Sequence, residues 1–285
     1  MSQNDVNGYP IREFARLTGV NPVTLRAWER RYGIIQPLRT PKGHRYYTDE
    51  HVEQVRNILY WLEQGYPIRQ VKLLLSAPPE RDTQPGGDWE ELTERMILAA
   101  CELNSRQLDE EWNTGLASYP MAVYYERCLC PVLDRLRQNA QHAMILEAFT
   151  YLLTRKLSQL ISLQQKHAEG PSLLLATNHV DGELPLLASA YALGAAGLKV
   201  EYFGTEFSPA YIRIAADIVK SSWVWVHMHP SRADQQQPWL HLTDEVSLPV
   251  FYSGDVPDSV AQDKHLEASL GRQIQTFITR TGDLS

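Results

Sequence analysis

The sequence predicts a mixed fold in three parts: a mainly α winged helix-turn-helix, a helical bundle, and a C-terminal doubly wound α/β domain of flavodoxin-like type. Three observations predict it. Two short helical patterns, joined by a tight Thr-Gly-Val turn, run straight into the basic, turn-punctuated segment RTPKGHRYY. From Trp89 to Lys166 the apolar residues recur at helical spacings. From Pro171 onward short apolar runs alternate with helical ones, as in a parallel sheet with crossover helices.

In the first part, Ile11, Phe14, Ala15 and Leu17 lie at helical spacing, and Thr18-Gly19 ends the run. Asn21-Pro22 opens a second helix, since Asn caps well and Pro suits a first turn; Gly33 closes it. Val23, Ala27 and Leu25 are expected to dock on the first helix, leaving Thr24, Arg26, Arg30 and Arg31 to project. The second helix of such a pair enters the major groove, where Arg forks onto guanine or holds a phosphate. The plain alternative for this helix alone is a basic, solvated face.

RTPKGHRYY then gathers Arg39, Lys42, His44 and Arg45 around Gly43, with Tyr46 and Tyr47 behind, and predicts a β-hairpin wing whose cations grip phosphates and whose aromatic anchors it to the core. Thr48 caps a third helix, with Asp49 and Glu50 in its positive first turn and an apolar stripe of Val52, Val55, Ile58, Leu59 and Leu62. Gly65 breaks it, and IRQVKLLL makes a fourth.

Charge divides the chain in the same way. Residues 1–77 hold 11 Lys/Arg against 7 Asp/Glu, a balance of +4, while the rest carries −11 of the total −7. A basic head on an acidic body points to a polyanion that only the head approaches. No run nears the roughly 18 apolar residues of a membrane helix, and MSQNDVNG has no signal-like pattern, so no membrane partner is expected. Three cysteines form no disulfide framework and fit a reducing interior; the expected location is the cytoplasm.

The run GVNPVTLRAWERRYGIIQPLRTPKGHRYYTDEHVEQVRNILYWLEQGYPIRQVKLLL resembles the MerR family of transcription regulators. The resemblance covers the winged domain, about a quarter of the chain, through TLRxWERRYG, RxxxGHRxY and the helix pair behind them. By position it assigns Thr24, Arg26, Arg30 and Tyr32 to the recognition helix and Lys42, His44, Arg45 and Tyr46 to the wing. With Arg31 from the helix pattern, these are the expected DNA-binding residues. Pro10 stands where the family usually caps the first helix with Thr or Ser, a position that tolerates proline.

Residues 78–88 predict a Pro/Gly linker, and residues 89–168 the bundle. Cys128 and Cys130 lie two apart in a helical stretch, where they do not share a face, so small hydrophobes are expected there and not a metal site. Members of the resembled family often dimerise through a long helix directly after the winged domain; the linker interrupts it here, so the bundle or the α/β domain is expected to supply the dimer contact.

In residues 171–285, ligands of a doubly wound sheet would sit beyond the carboxyl ends of the strands. That rim is expected to carry Asn178, His179, Gly204, Thr205, His227, His229, Ser253 and Gly254. The order of the three parts resembles the cobalamin-binding, light-sensing branch of the family, which binds cobalt through a His in an acidic-x-His-x-x-Gly motif. The matching stretch keeps His179 and Gly182 but has Thr177 at the acidic position; His227-Met228-His229 stands in place of Ser/Thr-x-Leu, and Ser253-Gly254 in place of Gly-Gly. The favoured expectation is therefore a B12-binding-like scaffold with no cofactor, used for dimer contacts or another ligand, as biofilm-controlling regulators of this layout resemble. The alternative is a cobalamin-dependent photosensor or ligand-sensing repressor using His179 and Gly182. His227 and His229, two apart on a strand, are expected to share a face as rim residues, with a weak metal or anion site there as the alternative.

The functional expectation is a homodimeric, cytoplasmic MerR-type regulator of transcription. It would bind a pseudo-palindrome in duplex promoter DNA and distort it to help or hinder RNA polymerase. No nucleophile–base pair, P-loop or dinucleotide glycine motif points to an enzyme.

Overall fold

The computed structural model describes residues 8–76, 87–166, 168–231, 233–266 and 269–281. Its internal contacts divide the chain into two compact units, residues 1–149 and 150–285. Most of the expected linker at 78–88 lies outside the described residues; Gly87 and Asp88 already open a helix.

The first unit begins with β1 (Tyr9–Pro10), α1 (Ile11–Thr18) and α2 (Pro22–Ala27), the last prolonged by one π-helical turn, Trp28–Tyr32. The wing follows as β2 (Leu38–Arg39) and β3 (Arg45–Tyr47), and β1 adds to it, giving an antiparallel sheet in the order β1-β3-β2. Tyr9 faces Tyr47 and Leu38 faces Tyr46 across this sheet. The anchoring aromatic is Tyr47, stacked on Phe14 at 4.0 Å with both rings buried. Next come α3 (Asp49–Glu63) and α4 (Ile68–Ser76); at the start of α3 the Thr48 amide donates to His51 Nδ1 at 3.0 Å.

The bundle helices are α5 (Gly87–Cys101), α6 (Ser105–Ser118), α7 (Met121–Tyr124) and α8 (Cys130–Gln138), followed by the first turns of α9 (Ala143–Gln165). Sequence periodicity runs unbroken from 120 to 138, but a π-helical turn at Tyr125–Leu129 separates α7 from α8. Pro131 follows it, and a proline removes one N–H from the helical ladder and crowds the turn before it. Leu108, Trp112, Leu129, Leu133 and Phe149 fill the core, with Trp112 edge-on to Phe149 at 5.6 Å.

The second unit is a four-stranded parallel sheet. β4 (Ser172–Thr177), α10 (Glu183–Ala195), β5 (Lys199–Tyr202), α11 (Pro209–Ile218) and β6 (Trp223–Met228) follow one another in the expected alternation. Two short helices, α12 (Ala233–Leu240) and α13 (Leu242–Glu245), precede β7 (Val250–Gly254), and α14 (Leu270–Thr281) ends the described chain. The strand order β5-β4-β6-β7 reverses direction at β4, so the rim beyond β4 and β6 is the switch point at which such sheets hold ligands. Alternate strand residues feed two cores: Leu174, Val224, Val226 and Tyr252 on one face, Leu173, Leu175, Trp225 and Phe251 on the other. Phe277 of α14 closes the second, 5.4 Å from Trp225 and 5.1 Å from Phe251.

Candidate nucleic-acid interface and the rim of the C-terminal sheet

The recognition helix starts where Asn21 Oδ1 accepts the Val23 amide at 2.8 Å, and Gly33 ends it in the left-handed region at φ +59°. Arg26, Arg30 and Arg31 are exposed. Two expectations for this helix are corrected. Val23 does not dock on α1 but is 53% exposed beside the arginines. Thr24 does not project: it is fully buried, and its hydroxyl donates to the Leu116 carbonyl at 3.0 Å. The reason is α6, which covers this side of the helix. Trp28, also fully buried, donates its indole N–H to the Ser118 carbonyl at 2.7 Å, and the half-buried Tyr32 hydroxyl lies 3.3 Å from Ser118 Oγ.

Glu29 ties the wing to the recognition helix. Arg45 donates to it twice, from Nε at 2.8 Å and Nη2 at 3.4 Å, and Arg39 Nη2 lies 3.5 Å from it. Such a fork fixes direction as well as distance. Lys42 and His44 stand exposed beside Gly43 at the wing's tip, and Tyr46 is half-buried beside β1.

On the C-terminal rim, strand alternation does not extend to His227 and His229, because β6 ends between them. His227 is the penultimate residue of the strand and turns inward: its Nδ1 lies 2.9 Å from Ser253 Oγ, which also accepts the Trp225 indole N–H at 2.8 Å. Burial, and then the neighbouring His229, push the His227 pKa down to about 4, so the ring is neutral. Its edge fills the space between two glycines. A Cβ added at Gly182 would lie 3.2 Å from the ring, and one at Gly254 would lie 3.1 Å from it.

His229 lies beyond the strand end and faces outward, its ring stacked on that of His179 at 4.8 Å. Asn178 holds this loop, accepting the His229 amide at 2.6 Å and donating to the His229 carbonyl and Ser231 Oγ, each at 3.0 Å. Thr177, the residue in the acidic position, is buried and donates its hydroxyl to the His179 carbonyl at 3.1 Å. The carboxylate near His179 comes instead from Asp181, which follows it: Asp181 Oδ2 lies 3.3 Å from His179 Nδ1, and the Asp181 amide donates to the same nitrogen at 3.2 Å.

Comparison with known proteins fits this architecture. Residues 9–78 match the family model described as MerR HTH family regulatory protein. The chain is 30% identical over 235 residues to the HTH-type transcriptional regulator MlrA of Salmonella typhimurium, a match spanning 80% of this chain and 92% of that protein. The chain belongs to the MerR family. It is also 27% identical to the HTH-type transcriptional repressor CarH of Myxococcus xanthus, over 69% of this chain and 70% of that protein. Among solved structures, the monomethylamine corrinoid protein of Methanosarcina barkeri matches at 13% identity and a TM-score of 0.49, over 67% of this chain and 98% of that one. As a MerR-family member the chain is a DNA-binding transcription regulator, and its C-terminal part carries the parallel α/β fold expected for it. Among the described residues no helix is long and apolar enough to cross a membrane.

The structure thus places Arg26, Arg30, Arg31, Lys42 and His44 in the open, ties Arg45 to Glu29, and removes Thr24 from solvent. Sequence reading missed Glu29 and Asp181. Glu29 sits three residues beyond Arg26, within a helical turn of the basic face, and Asp181 two residues beyond His179; both carried a legible sign of charge complementarity.

Proposed function

We propose that the protein binds duplex promoter DNA as a homodimer. Arg26, Arg30 and Arg31 enter the major groove while Lys42, His44, Arg45 and Tyr46 hold the flanking backbone. The working division is a winged head (1–77), a bundle (89–168) and an α/β domain (171–285), the latter two providing dimer contacts or sensing. The protein acts in the cytoplasm without catalysing a reaction, by deforming the promoter presented to RNA polymerase. The observation that carries this reading is the exposure of Arg26 and Arg30 on a helix whose wing is braced through Glu29. Arg26→Ala and Arg30→Ala should each cost about 1–3 kcal/mol of specific affinity. Gel shifts at fixed salt on an operator selected with the intact protein test this; wild-type affinity in both variants would refute the helix assignment.

Cobalamin is a poor fit to the residues at the rim. His227 stands where the resembled pattern asks for a small residue, and its ring, with Thr177 Oγ1 and the Met228 carbonyl, crowds Gly182 and Gly254. His179 Nδ1 accepts an amide proton, which in the neutral ring leaves the hydrogen on Nε2, the atom that would have to ligate cobalt. The α/β domain is accordingly taken to work without that cofactor. Incubation with hydroxocobalamin or adenosylcobalamin in the dark, then removal of excess, checks this: stoichiometric visible absorbance that vanishes in His179→Ala would establish the cobalamin-dependent repressor instead.

A further inference from the structure

We propose that His179, Asp181 and His229 form a binding site for a divalent transition-metal cation of the zinc class on the rim of the α/β domain. One ring nitrogen from each histidine and a carboxylate oxygen of Asp181 lie within 4.8 Å of one another. His179 Nδ1 and Asp181 Oδ2 are 3.3 Å apart, and His229 Nε2 and Asp181 Oδ2 are 4.0 Å apart. Ligand atoms about 2.0–2.1 Å from a tetrahedral zinc ion lie roughly 3.3–3.4 Å from each other. The first pair already has that separation, with His179 Nδ1 exchanging the Asp181 amide proton it now accepts for the metal. The second pair, and the two histidine nitrogens, which lie no more than 4.8 Å apart, close by rotation of these side chains.

The surroundings orient these groups. His229 Nδ1 lies 3.2 Å from the Pro230 carbonyl, which can only accept; the proton is therefore on Nδ1, and the Nε2 lone pair faces Asp181. A backbone carbonyl behind a histidine is the usual way a ligating tautomer is fixed. Asn178 pins the His229 main chain on both its N–H and C=O. The two rings stack nearly parallel, 19° apart, so one of them turns about its side-chain torsions to bring both in-plane lone pairs onto one ion.

The donor set selects the ion. Two imidazoles and one carboxylate suit zinc, nickel or cobalt, whereas calcium and magnesium take oxygen-rich shells and copper(I) prefers thiolates. Three protein ligands leave one coordination position open to water or an exogenous anion. The site is independent of the DNA-binding reading, and it uses two residues that cobalt ligation by His179 would not.

The test is titration of the full-length chain with Co2+ as a spectroscopic probe, followed by competition with Zn2+. One equivalent should bind with a visible d–d band of low-symmetry, four-coordinate character, and Zn2+ should abolish it. His179→Ala, Asp181→Asn and His229→Ala should each weaken binding by more than the roughly 10–100-fold that loss of an orienting outer group costs. Their metal-free melting temperatures should match wild type, which separates a lost ligand from a lost fold; should one fail to fold, the other two variants and a Zn2+-dependent rise in the wild-type melting temperature carry the test. Absence of saturable binding, or binding untouched by all three changes, would overturn the proposal. A signal that depends on His179 but survives both Asp181→Asn and His229→Ala would overturn it as well.

Discussion

The indole N–H of Trp28 and the main-chain carbonyl of Ser118 meet at 2.7 Å, fastening the recognition helix to a bundle residue 90 positions later in the chain. Thr24 makes a parallel contact one turn earlier, to Leu116. The helix that carries the DNA-facing arginines therefore has two supports, the α1 core on one side and α6 on the other. Trp28→Phe removes the bond together with part of the indole's volume, leaving a carbonyl short of a partner and a small cavity inside the unit. Such a loss costs about 1–3 kcal/mol, and a melting temperature lower by several degrees should follow. An unchanged melting temperature would show that the bond contributes nothing.

Glu29 sets how the wing is aimed. In Glu29→Ala, Arg39 and Arg45 lose their common acceptor and become free to meet any phosphate. Affinity for non-operator duplex should rise, the ratio of specific to non-specific binding should fall, and the salt dependence should steepen by about one unit of slope. Competition gel shifts at several salt concentrations measure all three. A preserved specificity ratio would mean that the wing is aimed by something other than Glu29.

Lys42 stands exposed at the hairpin tip and should touch backbone alone. Lys42→Ala should weaken binding equally across sequences and flatten the salt slope by about one. A shifted base preference at unaltered slope would make it a base-reading residue.

The cysteines divide by burial. Cys101 is exposed, whereas burial pushes the Cys128 thiol up to about 12 and the Cys130 thiol up to about 11. At pH 8 a disulfide reagent should titrate one thiol in the folded protein and all three after unfolding, because the thiolate is the reactive form. The sign for stability follows from the same shifts. The folded protein holds these protons more tightly than the unfolded chain, so their stabilising contribution is complete below about pH 8.5 and declines as pH rises toward 11 to 12. Fast labelling of three thiols in the native state would contradict the buried placement of Cys128 and the half-buried one of Cys130.

Much of the molecule was legible from local chemistry. Asn21-Pro22 and Gly33 bound the recognition helix because capping and left-handed backbone are decided by neighbouring residues. The β-α alternation after Pro171 was readable because fully buried parallel strands are short apolar runs wherever they occur. The short β1 strand and the interrupted helix at Tyr125–Leu129 were not, since one depends on pairing with β3 and the other on a single proline within an otherwise regular pattern.

The sequence by itself determined which helix carries the arginines, where the wing turns, and that His179 stands on the rim of a parallel sheet. Tertiary structure alone decided which side of that helix is free, because Thr24 and Trp28 lose their solvent to α6, a segment some 90 residues away. It also decided the roles of the histidines. Strand periodicity treats His227 and His229 alike, but β6 ends between them, so one ring packs beneath Ser253 and the other meets His179 and Asp181 across the loop. Long-range contacts of this kind leave no periodic trace, since they are set by where separate elements come to rest and not by the residues next in the chain.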